Sequence, residues 1–262
     1  MKISIVTISY NQAEFLERAI RSVVEQDYED IEYIIVDPGS TDGSREIIER
    51  YRSRIDKIIF EPDDGPADGL NKGFAYASGD ICGYLNADDE YLPGSLREVA
   101  TVFINDKSAD IVCGASYIVD RHNNKIRKFY SIPFSVRKYI YGGASIAQQS
   151  TFFKRSAFLG VGGFNRQNRT CWDGELILDF GLQRKNVKVV RNFWSLFRIH
   201  DSSISGSGRL TEQYLRDSER LFNKAYNRKS AWYDTWISLI IRIEKWLLNP
   251  VVFYSRVTDV FR

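Results

Sequence analysis

ISIVTISYNQAEFLERAIRSVVEQDYEDIEYIIVD, residues 3–37, is the stretch whose reading decides the fold. Ile3 to Ile8 is a short, nearly continuous apolar run, the pattern of a strand buried on both faces. From Glu14 to Glu25, Phe15, Ala19, Ile20 and Val23 recur at helical spacing. A second buried run, IEYIIVD, follows at 31–37. Further along, a helix is predicted over 44–51, a strand KIIF at 57–60, a helix over 67–77 and a strand ICGYL at 81–85. Strand and helix taking turns at these lengths predict an α/β fold with right-handed crossovers. Its central sheet is mostly parallel, with helices on both faces.

Ligands in such sheets collect at the carboxyl ends of the strands. There the chain places SYNQ, DPGSTDG, EPDDGPADG and NADD. Asp and Ser also favour turns and helix N-caps, a reading that suits Thr41, Asp42 and Ser44. Four polar, mostly acidic ends converging on one edge point to a ligand crevice. Within GDICGYLNADDEYLPGSL (79–96), Asn86 and Asp88 are two apart, so an extended backbone aims both at one ion and Asp89 elsewhere. Magnesium takes oxygen ligands, commonly one or two carboxylates plus phosphate oxygens and water. Capping of a helix that begins near Pro93 is the alternative.

The 262 residues carry a net charge of +2, which makes no case for nucleic acid. Residues 209–262 hold 10 Lys/Arg against 6 Asp/Glu, so the tail is mildly basic and the body mildly acidic. Cys82, Cys113 and Cys171 are odd in number and far apart, which encodes neither a disulfide framework nor a zinc site and fits a reducing cytoplasm. The first apolar run is too short for a signal peptide, and none approaches the roughly 18 residues of a membrane span. A cytoplasmic protein, peripheral at most to the inner face of the membrane, is expected. There is no G-x-G-x-x-G, no Walker loop and no G-x-S-x-G elbow, and two histidines, His122 and His200, exclude zinc-protease spacing.

After residue 110 the pattern changes. DIVCGASYIVD and KIRKFY flank an Asn-rich turn and predict a hairpin. A helix over 172–184, a strand over 187–200 and closing helices over 211–228 and 230–248 follow. The simplest partition is one domain, 1–208, with a helical extension, 209–262. Trp232, Trp236, Leu239, Ile240, Ile243, Trp246 and Leu247 form one stripe of the last helix. Such a stripe packs on its own domain, lies at a membrane surface or forms a homodimer interface.

Residues 3–44, EPDDGPADGLNKGFAYASGD and GYLNADD together resemble, closely over about residues 2–100, the family 2 inverting glycosyltransferases of the GT-A (Rossmann-like) fold, and most of all bacterial members that build exopolysaccharide, capsule or lipopolysaccharide. The likeness continues more loosely through QQSTFFKRSAF, WDGELILDFGLQRK and RIHDSSIS. It implies a nucleotide-sugar half (1–100) and an acceptor half (101–208), and transfer from a nucleotide-diphosphate donor, usually a UDP-sugar, to a hydroxyl of a glycan or lipid-linked acceptor. It also implies Mn2+ or Mg2+ at Asn86-Ala87-Asp88, with Asp88 the metal carboxylate and His200 a late residue approaching the cation. Thr7, Tyr10 and Asn11 match the strand end beside the base, and Asp37 the acid on the uracil and ribose. Asp64, Asp68, Asn71 and Lys72 match the wall of the nucleotide pocket. The chain departs from the family at Asn86, which replaces the usual Asp, and at Pro38 and Gly69.

The family pattern makes Asp173 the catalytic base. An inverting displacement does need a carboxylate to take the acceptor's proton, and a neighbour such as Trp172 would raise its pKa. Asp173 as a helix-dipole residue and Glu175 as the base are the alternatives. Gln148 and Gln149 are candidates to bind a donor or acceptor hydroxyl. A non-catalytic binding module with a weakened metal site and a sugar nucleotidyltransferase are the competing functions.

Overall fold

Ile3–Ile8 (β1) is buried along nearly its whole length and pairs in parallel with Ile31–Val36 (β2) on one side and Ile81–Asn86 (β4) on the other. Lys57–Ile59 (β3) extends the parallel run beyond β2. The register is flush: Ile8 stands opposite both Val36 and Asn86, so three strands end on one line. The computed structural model describes residues 1–201, 211–250 and 252–254. The expected boundary at 208/209 and the end of the RIHDSSIS match, beyond Asp201, lie outside them.

Alternation along the strands assigns each helix its side. Ile3, Ile5, Tyr33 and Ile35 meet Ala13–Val24 (α1), Ser44–Arg50 (α2) and Ser95–Asn105 (α4) through Leu16, Ile20, Ile48 and Val99. Val6, Ile34, Val36 and Tyr84 meet the opposite layer, Pro66–Tyr76 (α3), Arg155–Val161 (α6) and Trp172–Leu182 (α7). Gly73 allows α3 its close approach, since a Cβ there would stand 2.4 Å from Val6 Cγ1.

The second half converts the parallel sheet into a mixed one of nine strands among the described residues, eight of them in the order β3-β2-β1-β4-β8-β6-β9-β5 and the ninth, β7, beside β6. Thr151–Lys154 (β8) is antiparallel to both β4 and Ile111–Val119 (β6), while Val187–Arg198 (β9) runs parallel to β6. Lys125–Phe129 (β7) closes the expected hairpin on β6. Its turn has Asn123 at φ 69°, and Asp120 Oδ1 accepts the amides of His122 and Asn124. The two-residue strand Glu90–Tyr91 (β5) pairs with β9 and pins the acidic turn after β4 against it. Val136–Ile140 (α5), which runs into Tyr141, shares a small core with Thr211–Tyr226 (α8) and Trp232–Leu248 (α9), built from Tyr141, Phe222 and Ile241.

Candidate active site

The carboxyl edge of β1, β2 and β4 gathers most of the expected residues. Asp37 follows β2 and is wholly buried. Its Oδ1 accepts the amides of Gly39 (3.1 Å) and Ser40 (2.8 Å) and the Arg45 Nε (3.1 Å). Its Oδ2 is buried with no hydrogen-bond partner. A buried carboxylate oxygen left open is costly unless a ligand satisfies it. Asn11, at φ 52°, ties the β1 and β2 loops together: its amide donates to Ser40 Oγ (2.8 Å) and its Oδ1 accepts from the Thr41 amide (2.9 Å). Tyr10 beside it is exposed.

Asp88 and His200, 112 residues apart, meet at 3.1 Å between Oδ2 and Nε2. The imidazole packs on Phe15 with centroids 4.6 Å apart. The expected alternation of Asn86 and Asp88 does not survive. Asn86 O accepts from the Asp89 amide (3.1 Å), so the chain turns at Ala87, which is buried, and extended-strand geometry ends at Asn86. Asn86 Nδ2 consequently points to Gln148 Oε1 (3.3 Å), and its Oδ1 is buried without a hydrogen-bond partner. Asp89 turns inward: Oδ1 accepts from the Arg198 amide and Oδ2 from Gln149 Nε2, both at 2.9 Å. Burial, then the neighbouring Asp88, pushes its pKa well up.

Arg198 is the residue that sequence reading missed. Fully buried, it donates from Nε to Asp88 O (2.8 Å), from Nη1 to Asp120 O (2.8 Å) and from Nη2 to Glu90. It thereby holds the Asp88–Glu90 turn to β9 and brings His200 within reach. A cation inside the apolar run FWSLFRIH was the available signal.

Asp173 opens α7 and lines a cavity of about 60 Å³ together with Tyr84, Tyr139, Gln148 and Gly174. Gln148 therefore touches both the Asn86 side and the Asp173 side. Burial raises the Asp173 pKa, against the opposing hydrogen bonds from the Gly174 amide and its own. Glu175 points away and is fully buried. Its oxygens accept from Arg220 (2.7 and 2.6 Å), Lys224 (2.9 Å), Asn165 (3.0 Å) and Asn168 (2.8 Å). Burial alone would raise its pKa, but these donors hold it at about 2. A carboxylate so occupied makes a poor base, which argues against Glu175 as the alternative to Asp173.

Four of the expected residues are engaged within the protein. The Thr7 hydroxyl accepts from Tyr33 (3.1 Å) on the buried face carrying Ile3 and Ile5. Asn71 exchanges two hydrogen bonds with the Phe164 backbone (2.8 and 2.9 Å). Lys72 reaches Pro62 O and stands 3.4 Å from Asp68. Asp68 is buried, accepts the Asp64 amide (3.1 Å) and pairs with Arg166 (3.0 Å), whereas Asp64 itself is exposed. The polar residues of α3 are thus tied within the protein.

No cluster of three or more His, Cys, Asp or Glu side chains suited to a metal occurs among the described residues. The donors that meet are one carboxylate (Asp88) and one imidazole (His200), while the unsatisfied amide oxygen of Asn86 lies across the turn at Ala87. That set fits a divalent cation that brings diphosphate oxygens of its own.

The model of one family, glycosyl transferase family 2, matches residues 4–162. An uncharacterized glycosyltransferase of Nostoc sp. is 43% identical over 115 residues, covering 43% of this chain and 35% of that one. One of Mycobacterium tuberculosis is 30% identical over 189 residues, 71% of each chain. Among solved structures, Staphylococcus aureus TarS 1-349 in complex with UDP-GlcNAc superposes with TM-score 0.69 at 18% identity, over 98% of this chain and 74% of that one. The Pyrobaculum calidifontis mannosyltransferase PcManGT in complex with GDP-Man and Mn2+ gives TM-score 0.64 at 18% identity, over 98% and 73%. At that identity the two structures speak to the fold, which is GT-A. With its parallel first half, its mixed second half and that family match, the chain belongs to glycosyl transferase family 2.

Proposed function

We propose that this chain is an inverting glycosyltransferase that moves a sugar from a UDP-sugar to a hydroxyl of a glycan or lipid-linked acceptor in bacterial surface polysaccharide synthesis. The observation that carries the reading is the meeting of Asp88 and His200 at the strand edge, flanked by the open acceptors Asp37 Oδ2 and Asn86 Oδ1. TarS with UDP-GlcNAc and PcManGT with GDP-Man and Mn2+ support a nucleotide-sugar and a metal for this fold.

In this reading Asp37 Oδ2 accepts from the base or ribose, Asn11 and Ser40 fix the loop around it, and the exposed Tyr10 offers a ring to the base. Asp64, Asp68, Asn71 and Lys72 form the wall, and Thr7 braces β1 from behind. Asp88 and His200 would hold Mn2+ or Mg2+, which would supply charge neutralisation for the departing diphosphate, and Asn86 would meet the donor beside them. Asp173 takes the proton of the acceptor hydroxyl as its oxygen attacks the anomeric carbon, on the face opposite the leaving group. The desolvated environment that raises its pKa makes it a stronger proton acceptor than a solvated Asp. Residues 1–100 serve the donor and 101–208 the acceptor, with 209–262 as an extension. The reading places the chain in the cytoplasm, where a lipid-linked acceptor is met at the inner face of the membrane. No helix among the described residues is long and apolar enough to cross a membrane.

Calorimetric titration with UDP, GDP and TDP, each with and without Mn2+, tests this. UDP binding that requires Mn2+ and is lost in Asp88→Ala is the expected result. Absence of binding by all three returns the fold to a non-catalytic role.

A further inference from the structure

Helix α9 is turned inside out. The face that packs on the body carries Asp234 and Ile241, both buried, with Ile237 and Ser238 beside them. Asp234 accepts from Tyr141 Oη (2.6 Å) and from both Arg228 Nη atoms (2.7 Å each), and Ser238 donates to Tyr141 O (3.0 Å). The outward face carries Trp232, Trp236, Leu239, Ile240, Ile243 and Leu247, with Trp232, Trp236 and Leu247 exposed by 78%, 61% and 75%. With 3.6 residues per turn these side chains span an arc of roughly 100° without a charged residue. A helix stabilised only by its own domain would carry the reverse pattern. Phe253 and Tyr254 continue the exposed apolar surface past the helix end.

One border of this face is cationic and the other acidic. Arg242 flanks it on one side. Near its C-terminal end, Lys245 and Trp246 share a shallow recess with Arg127 and Lys128 of β7. The acid on the other border, Glu244, is paired with Lys138 at 3.6 Å. We propose that α9 docks on an anionic lipid surface, its apolar arc at the acyl boundary and its cationic border among the headgroups. Tryptophan with Lys and Arg is the composition that settles in that zone.

This deepens the glycosyltransferase reading and rests on it only for its use. Arg220 and Lys224 of α8 clamp Glu175, two residues from Asp173, so the docked helix pair is fixed to the helix that carries the base. A lipid-borne hydroxyl would then be presented on the Asp173 side.

The test is flotation of the full chain with phosphatidylcholine vesicles, with and without phosphatidylglycerol. It is run beside sedimentation of the free protein and UDP calorimetry. Flotation only with the anionic vesicles, suppressed by salt and weakened more than about tenfold in Trp236→Ser/Ile240→Ser/Ile243→Ser, is expected. UDP binding should stay unchanged in that variant, which shows that it folds. Failure to float on anionic vesicles overturns the proposal. So does a dimer in solution that the same substitutions dissociate. Either outcome leaves the UDP result, and with it the glycosyltransferase reading, to stand or fall separately.

Discussion

Replacing Glu175 by Gln removes the charge from a fully buried carboxylate that accepts five hydrogen bonds, three of them from Arg220 and Lys224. Its pKa is held at about 2 against an ordinary value of 4.5, a linkage worth about 3 kcal/mol. The sign follows from the depressed value. The contribution is complete above pH 4.5 and is lost as pH falls toward 2. Arg220 and Lys224 are each 35% exposed, so water softens the penalty of leaving them opposite an amide. The expected destabilisation is therefore about 3 kcal/mol, the low end for a broken buried pair. For a chain of this size that lowers Tm by about 6–12 °C at pH 7. Thermal melts by circular dichroism at pH 7 and pH 3 measure it, and the gap between wild type and variant should narrow at the lower pH. A gap within about 1 °C at pH 7, or one equally wide at both pH values, refutes the reasoning.

Other consequences can be measured on the same preparation once a donor is found. Asp173→Asn should lower kcat by about 10²–10⁴-fold with UDP affinity unchanged, read by initial rates and calorimetry. Because burial raises the Asp173 pKa and a base works deprotonated, the wild-type rate should fall on acidification at a pH above the ordinary Asp value of 3.8, as a pH–rate profile would reveal. Gly174→Ala puts a Cβ 1.8 Å from the Tyr139 hydroxyl. It should cost about 1–3 kcal/mol and lower kcat, and adding Tyr139→Phe should restore part of both, a non-additivity visible in a double-mutant cycle.

The parallel half was legible because each of its strands is a buried apolar run ended by turn residues, and observed and expected bounds differ there by a residue or so. The mixed half was less so. TFFK of β8 is four residues merged with its neighbours, and β5 is two, too short for any periodicity to register. The pairing of β6 with β9 joins segments far apart in sequence, which local pattern does not encode.

At the site, residue types were readable and directions were not. Asn86 and Asp88 share a face only if the backbone stays extended, and the hydrogen bond from Asp89 to Asn86 bends it. Asp173 and Glu175 look alike in sequence, yet Arg220 and Lys224, 45 and 49 residues beyond Glu175, decide which carboxylate is occupied. The apolar stripe of α9 was evident from spacing, while the side it faces depends on Tyr141 and Arg228 binding Asp234 on the opposite one.

The most direct test of the central claim is the anomeric configuration of the product, followed by proton NMR during transfer from an α-linked UDP-sugar, with Asp173→Asn run in parallel. The account predicts a β-linked product from wild type and almost none from the variant, which still binds UDP. An α-linked product, or undiminished transfer by Asp173→Asn, would contradict it.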